Sequence, residues 1–132
     1  MAFAIAKISI NRGYLMKTVL IVDDSSLMRR LIKNIVIKNG YDVLGEATNG
    51  RDGVEMYKEL HPDFVTMDLI MDEMNGLDAL KLIMAEDPDA NVIIVSSMGQ
   101  EVIVRDAIVT GAKNFLLKPF DERQVIEAIL KL

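Results

Sequence analysis

Short apolar runs alternate with amphipathic segments from residue 17 to residue 132, and this alternation constrains the fold more than any other feature. The clearest run, "TVLIV" at Thr18–Val22, is apolar and rich in β-branched residues, as expected for a strand buried on both faces. Further strands are predicted within "YDVLGEA", "DFVTMD", "NVIIVS" and "NFLLK". Between and after them, apolar residues recur at steps of three and four, which is the spacing of helices with one buried face.

The predicted helices end at recognisable signals. Asn39-Gly40 follows the first helix, Pro62 and Pro88 follow the second and third, and Gly111 follows the fourth. Five strand–helix pairs with short links indicate right-handed crossovers and a doubly wound parallel sheet with helices on both faces. One α/β domain therefore accounts for residues 17–132.

Composition excludes several functional classes. Twenty acidic residues and fifteen Lys and Arg give a net charge of −5, and no basic stripe is present, so nucleic-acid binding is not expected. The absence of cysteine rules out disulfides and thiolate metal sites and fits a reducing, cytoplasmic location. Every apolar run is far shorter than the roughly 20 residues that a membrane helix needs, so no membrane association is expected.

Residues 1–16, "MAFAIAKISINRGYLM", do not share the pattern of the remainder. Lys7 interrupts their apolar part and no clear cleavage site follows, which argues against a signal peptide. We expect an N-terminal extension of unknown role, either without function or an over-extended start before Met16. The alternative is an added edge strand built on "FAIAKISI".

Polar side chains follow four of the predicted strands. In doubly wound sheets, ligands bind beyond the carboxyl ends of the strands. The residues predicted to converge at this edge are Asp23, Asp24, Asp68, Ser96 and Lys118.

Each of these residues has an ordinary structural explanation when taken alone, because Asp and Ser cap helices or make turns and Lys extends into solvent. Together they are harder to explain. Clustered carboxylates repel one another by roughly 1–4 kcal/mol per pair at 4 Å, and all-oxygen ligation suits Mg²⁺. Lys118 and the Ser96 hydroxyl would then face phosphoryl oxygens. The pattern predicts a phosphoryl-acceptor site.

The stretches "VLIVDD", "TMDLIMDEMNG", "VIIVSSMGQ" and "GAKNFLLKPF" resemble a response-regulator receiver domain over about residues 17–132. The last two are most similar to single-domain chemotaxis receivers of the CheY type. The resemblance implies a flavodoxin-like fold with five parallel strands in the order 2-1-3-4-5. It also implies a protein that is not an enzyme, beyond catalysing its own phosphorylation and slow autodephosphorylation.

The resemblance assigns roles at the acidic edge. Asp68 would accept a phosphoryl group from a histidine kinase of the chemotaxis type. Asp24, Asp68 and the backbone carbonyl of Ile70 would ligate Mg²⁺ directly, and Asp23 would bind it through water.

The resemblance also implies a switch. Lys118 would contact the phosphoryl group, Ser96 would move to bond it, and Phe115 would turn from an outward to an inward rotamer. Partners would then read the surface of the fourth helix, fifth strand and fifth helix. The Lys118-Pro119 bond matches a position at which the family has a cis peptide.

Three positions refine this prediction. Asp72 stands where the family commonly has proline, and we expect a turn residue there rather than a fourth ligand. Ile70 and Met98, two residues after Asp68 and Ser96, are apolar and flank the path of water to an acyl phosphate. Because neither can position a hydrolytic water, we expect a long-lived phosphoryl group.

Other readings of the sequence are weaker. A Mg²⁺-dependent phosphatase of the haloacid-dehalogenase type needs an acid two residues after its nucleophile, where Ile70 stands. A flavodoxin-like cofactor binder needs a phosphate loop where Asp23-Asp24 stands. We expect a monomer that signals by binding to a partner. The favoured partner is a flagellar motor switch protein, and a phosphatase is a further expected partner. The alternative output is a phosphorelay intermediate that passes its phosphoryl group to a histidine phosphotransfer protein.

Overall fold

The computed structural model describes Met16–Leu132, and these residues form five strands and five helices in strict alternation. The elements in chain order are β1 (Thr18–Val22), α1 (Ser26–Lys38), β2 (Asp42–Ala47), α2 (Gly50–Leu60), β3 (Phe64–Asp68), α3 (Gly76–Glu86), β4 (Val92–Ser96), α4 (Glu101–Thr110), β5 (Asn114–Leu117) and α5 (Glu122–Leu130). The predicted extension lies outside the described residues except for Met16, which is buried.

The five strands form one parallel sheet in the order β2-β1-β3-β4-β5. This confirms the predicted doubly wound fold and its strand order. β1 and β3 lie at the centre, where the order reverses, and their carboxyl ends therefore meet beside each other.

Side-chain capping fixes where most helices start. Ser25, Asn49, Asn75 and Asp121 each accept a hydrogen bond from a backbone N–H in the first turn of the helix that follows. The first residue before α4, Gln100, makes no such side-chain bond. α4 has one fully buried residue, Ala107, with Ile103 and Val104 packed partly buried against the same core, which is the smallest number of buried residues among the described helices.

Two apolar cores cover the two faces of the sheet, as strand alternation requires. Leu20, Val22 and Met67 belong to the core shared with α2, α3 and α4. Val19, Ile21, Phe64 and Val95 belong to the core shared with α1 and α5. Within residues 16–132, the longest helix has 13 residues, and none is long and apolar enough to cross a membrane.

Candidate functional site

The polar residues predicted to converge do lie together at the carboxyl edge of the sheet. Asp23 and Asp24 follow β1, Asp68 and Ser96 are the last residues of β3 and β4, and Lys118 follows β5. Strand register carries this arrangement, because Val22 pairs with Met67, and Asp68 pairs with Val95, the residue before Ser96.

Three carboxylates form a compact cluster at this edge. One oxygen from each of Asp23, Asp24 and Asp68 lies within 4.8 Å of the others, and only Asp24 is exposed. Asp23 Oδ1 accepts a 2.9 Å hydrogen bond from the Ser25 backbone N–H. Its buried Oδ2 has no hydrogen-bond partner among the described residues and lies 3.8 Å from Lys118 Nζ. The same ammonium nitrogen lies 3.4 Å from Asp68 Oδ1.

Burial and mutual repulsion disfavour the charged state of these carboxyls. Burial, followed by the charge of Asp23, raises the pKa of Asp68 to about 6, although Lys118 opposes the shift. Burial likewise raises the pKa of Asp23, against the Ser25 N–H bond and Lys118. One ammonium group is therefore too little charge to stabilise three ionised carboxylates.

The cluster fits a bound Mg²⁺ ion. All its donors are carboxylate oxygens, which hard divalent cations prefer. The buried Asp23 Oδ2 without a hydrogen-bond partner is an oxygen that an ion or its bound water would satisfy. A dication would also relieve the repulsion that raises both pKa values.

Ser96 and Lys118 flank the carboxylates. Ser96 is 1% exposed at the end of β4, and the Lys118 backbone N–H donates a 2.7 Å hydrogen bond to its carbonyl oxygen. The Lys118-Pro119 peptide is cis, which confirms the prediction for that bond. The structure therefore brings Asp23, Asp24, Asp68, Ser96 and Lys118 to one edge.

Phe115 lies on β5, where it pairs with Ile94 of β4. It is 47% exposed, and its turn between an outward and an inward rotamer stays a prediction. It lines a cavity of about 480 Å³ that runs from Ser96 along α4, together with Met98, Val104, Arg105 and Leu117. The Phe115 side chain therefore borders open space beside α4.

Ile70 and Asp72 both lie in the loop after Asp68. Ile70 is exposed, and a role of its backbone carbonyl as a ligand stays a prediction. Asp72 is exposed and is not a member of the acidic cluster, as expected of a turn residue. Glu73 and Met74 have positive φ angles of 51° and 83°, and the Gly50 N–H donates to the Met74 carbonyl at 3.0 Å.

Two residues that support the carboxylate site were not predicted from the sequence. Arg29 donates from Nη1 to the Asp23 carbonyl oxygen at 2.8 Å and from Nε to Glu46 at 3.2 Å, so it ties α1 to the end of β1. Gly76 packs against the backbone of Asp68 and Leu69 so closely that a Cβ would overlap the Asp68 oxygen. The "NG" pair at the start of α3 was the available signal for Gly76, whereas Arg29 resembles any exposed helix cation.

Comparison with known proteins agrees with this geometry. The family model of the response regulator receiver domain matches residues 19–130. Chemotaxis protein CheY of Thermotoga maritima is 57% identical over 116 residues, which make up 88% of this chain and 97% of that protein. Chemotaxis protein CheY of Bacillus subtilis is 53% identical over 113 residues, 86% of this chain and 94% of that protein.

Solved structures show the same fold. In the complex of CheX, CheY, BeF₃ and Mg²⁺ from Borrelia burgdorferi, the matched chain has a TM-score of 0.84 at 34% identity, over 93% of this chain and 94% of that one. The response regulator domain of Thermotoga maritima CheB has a TM-score of 0.76 at 40% identity, over 88% of this chain and 92% of that one. With a family model that spans nearly all described residues, relatives above 50% identity and the same strand order, the chain belongs to the family of response regulator receiver domains.

Proposed function

We propose that this chain is a chemotaxis response regulator that accepts a phosphoryl group on Asp68 from a histidine kinase. The observation that carries the proposal is the Lys118 ammonium group 3.4 Å from Asp68 Oδ1, within a cluster of three carboxylates. Relatives with more than half of their residues identical are named chemotaxis proteins, which supports the process.

In the transfer, an Asp68 oxygen attacks the phosphorus of a phosphohistidine. The P–O bond to Asp68 forms, the P–N bond breaks, and the electron pair of that bond returns to the imidazole nitrogen. Asp68 must be ionised to attack, and at neutral pH it is, since its pKa is about 6. The product is an acyl phosphate on the end of β3.

The residues around Asp68 share the work of holding the new group. Lys118 pairs with a phosphoryl oxygen, and the Ser96 hydroxyl donates a hydrogen bond to another. Asp24, Asp68 and the Ile70 carbonyl would hold Mg²⁺, with Asp23 reaching it through water. When bound, the ion supplies positive charge that offsets both the carboxylates and the phosphoryl oxygens.

The switch follows from the position of Ser96. As its hydroxyl moves toward the phosphoryl group, space opens at the end of β4 that Phe115 fills by turning inward into the cavity along α4. A differential interaction of a few kcal/mol suffices to shift such a two-state population. The surface that changes is α4, β5 and α5, and we propose that it binds a flagellar motor switch protein in the cytoplasm.

A further partner would end the signal. The Borrelia burgdorferi structure contains a CheY in complex with CheX. We propose that this chain also has a protein partner that removes the phosphoryl group, because its own chemistry is limited to taking up that group and losing it slowly.

Acceptor labelling tests the central proposal. The protein is incubated with Mg²⁺ and ³²P-acetyl phosphate or a phosphorylated chemotaxis kinase. Wild type should acquire label that hydroxylamine removes, and Asp68→Asn should not. Asp72→Asn is the matched control, since Asp72 lies in the same loop outside the cluster, and it should label like wild type. Label retained in Asp68→Asn would overturn the proposal.

Partner capture tests the output. Motor switch proteins are passed over immobilised protein with and without the phosphoryl mimic BeF₃⁻, and binding should tighten with the mimic. Binding that the mimic leaves unchanged would contradict the motor output. Transfer of the ³²P label from the labelled protein to a histidine phosphotransfer protein would favour a phosphorelay.

A further inference from the structure

Met98 differs from every other methionine between residues 16 and 132 in its exposure. It is 82% exposed. The remaining methionines of this part of the chain are buried or half-buried, namely Met16, Met28, Met56, Met67, Met71, Met74 and Met84. Oxidants attack methionine sulfur in proportion to its accessibility, so Met98 is the first sulfur in this part of the chain that a dissolved oxidant meets.

The surroundings of Met98 connect it to the phosphoryl site. It lies two residues after Ser96, in the loop between β4 and α4, and lines the same cavity as Ser96 and Phe115. The next residue, Gly99, has no atom beyond its chain neighbours within 4 Å of the position of a Cβ. A change of polarity at Met98 therefore occurs in the cavity that Ser96 also borders.

The chemistry needs a two-electron oxidant such as hydrogen peroxide. A lone pair of the sulfur attacks one peroxide oxygen, the O–O bond breaks, and an S–O bond forms. The sulfur is oxidised by two electrons, and the second peroxide oxygen leaves as water. The product is a sulfoxide, which replaces an apolar thioether with a strong hydrogen-bond acceptor and can be reduced back by methionine sulfoxide reductases.

We propose that Met98 is an oxidant-sensitive modification site, and that its sulfoxide speeds the loss of the phosphoryl group from Asp68. The second part rests on the proposed function. The thioether offers water no strong acceptor beside the acyl phosphate. The sulfoxide oxygen accepts a hydrogen from a water at the rim, and that water then attacks the phosphorus as the bond to the Asp68 oxygen breaks. The products are the Asp68 carboxylate and inorganic phosphate.

The first experiment maps the oxidation and does not depend on phosphorylation. Folded protein is treated with limiting hydrogen peroxide, quenched, digested and analysed by mass spectrometry. Met98 should gain one oxygen atom at least about fivefold faster than Met28, Met56, Met74 or Met84. Oxidation of any of these at an equal rate would overturn the site.

The second experiment measures the half-life of the phosphoryl group in oxidised and untreated samples of the same protein. In wild type the half-life should shorten by about twofold or more, as expected for gain of a positioned hydrogen bond, and reductase treatment should restore it. Met98→Leu should show no change on oxidation, whereas Met28→Leu, which removes a half-buried methionine, should respond like wild type.

The outcomes separate the two proposals. If Asp68 is labelled and the half-life of its phosphoryl group is the same with and without oxidation, only the proposed effect of the sulfoxide is overturned. Absence of label on Asp68 overturns the proposed function together with that effect, while the oxidation map still decides whether Met98 is the sensitive site.

Discussion

Lys118 Nζ lies 3.4 Å from Asp68 Oδ1 and thereby links the end of β5 to the end of β3. The same nitrogen lies 3.8 Å from Asp23 Oδ2, so one cation serves two buried carboxylates. This shared partner leaves the site short of positive charge, and the first prediction follows from that shortage.

Asp68→Asn should stabilise the protein at pH 7 in the presence of EDTA. Because burial raises the pKa of Asp68 to about 6, its carboxyl favours folding while it is protonated, and this contribution is lost as the pH rises from about 4 to about 6. At pH 7 the ionised group opposes folding. We expect the variant to gain about 1–3 kcal/mol in the free energy of unfolding, measured by urea titration.

The gain in Asp68→Asn should shrink at pH 4, where the wild-type carboxyl is protonated. Added Mg²⁺ should stabilise wild type more than the variant. A variant less stable than wild type at pH 7 would contradict this electrostatic account.

Replacing Ile70 and Met98 together by Asn and Gln should shorten the half-life of the phosphoryl group. Polar side chains at these two exposed positions can hold a hydrolytic water, and one net hydrogen bond of about 1 kcal/mol corresponds to about fivefold in rate. Loss of ³²P from the labelled protein gives the rate. Leu82→Asn, at an exposed apolar position on α3, should decay like wild type, and equal decay in all three proteins would refute the prediction.

Asp72→Pro should change the dissociation constant for Mg²⁺ by less than about tenfold, or roughly 1.4 kcal/mol. Asp72 is exposed and outside the acidic cluster, so its removal takes away no predicted ligand. Isothermal titration calorimetry measures the constant, with Asp24→Asn as a control that should weaken binding well beyond tenfold. A larger loss in Asp72→Pro would show that Asp72 takes part in binding the ion.

Tyr57→Phe should destabilise the protein at neutral pH. The Tyr57 hydroxyl donates a 2.7 Å hydrogen bond to Asp87 Oδ2, and this bond joins α2 to the end of α3. Since Asp87 is half-buried and water can partly replace the donor, we expect a loss of about 1 kcal/mol. Thermal or urea unfolding of the two proteins measures it.

The hydrogen bond of Tyr57 also predicts that the stability of the protein depends on pH in the alkaline range. Burial, and then the bond to Asp87, raises the pKa of Tyr57, so its stabilisation is complete below about pH 10 and is lost as the pH rises further. Above pH 10 the stability of wild type should therefore fall more steeply than that of Tyr57→Phe. If the stability of the two proteins falls equally steeply with pH, the ionisation of Tyr57 does not affect folding and the prediction is wrong.

The site could be predicted from sequence because parallel strands end at one edge. Asp23, Asp68 and Ser96 each follow an apolar run, and strand periodicity alone was enough to bring them together. Apolar spacing does not indicate that α2 and α3 start at Gly50 and Gly76, because glycine carries no apolar signal.

Other contacts could not be predicted. Tyr57 and Asp87 are 30 residues apart, and nothing in either segment indicates that they pair. The same holds for Arg29 and the Asp23 carbonyl, which depends on how α1 lies against β1. The exposure of Met98 was equally hidden, since an apolar residue after a strand predicts packing. These properties arise from the tertiary arrangement and have no periodic signature.

The weak anchoring of α4 has a mechanical consequence. α4 has one fully buried residue, Ala107, and no side-chain capping bond at its start, whereas β4, which carries Ser96, is buried throughout. In the proposed switch, a displacement that originates at Ser96 would therefore be taken up by α4 and not by the buried strand. Such a division between a stiff frame and one soft segment lets an event of a few ångströms at a charged edge reshape an outer surface without loosening the domain as a whole.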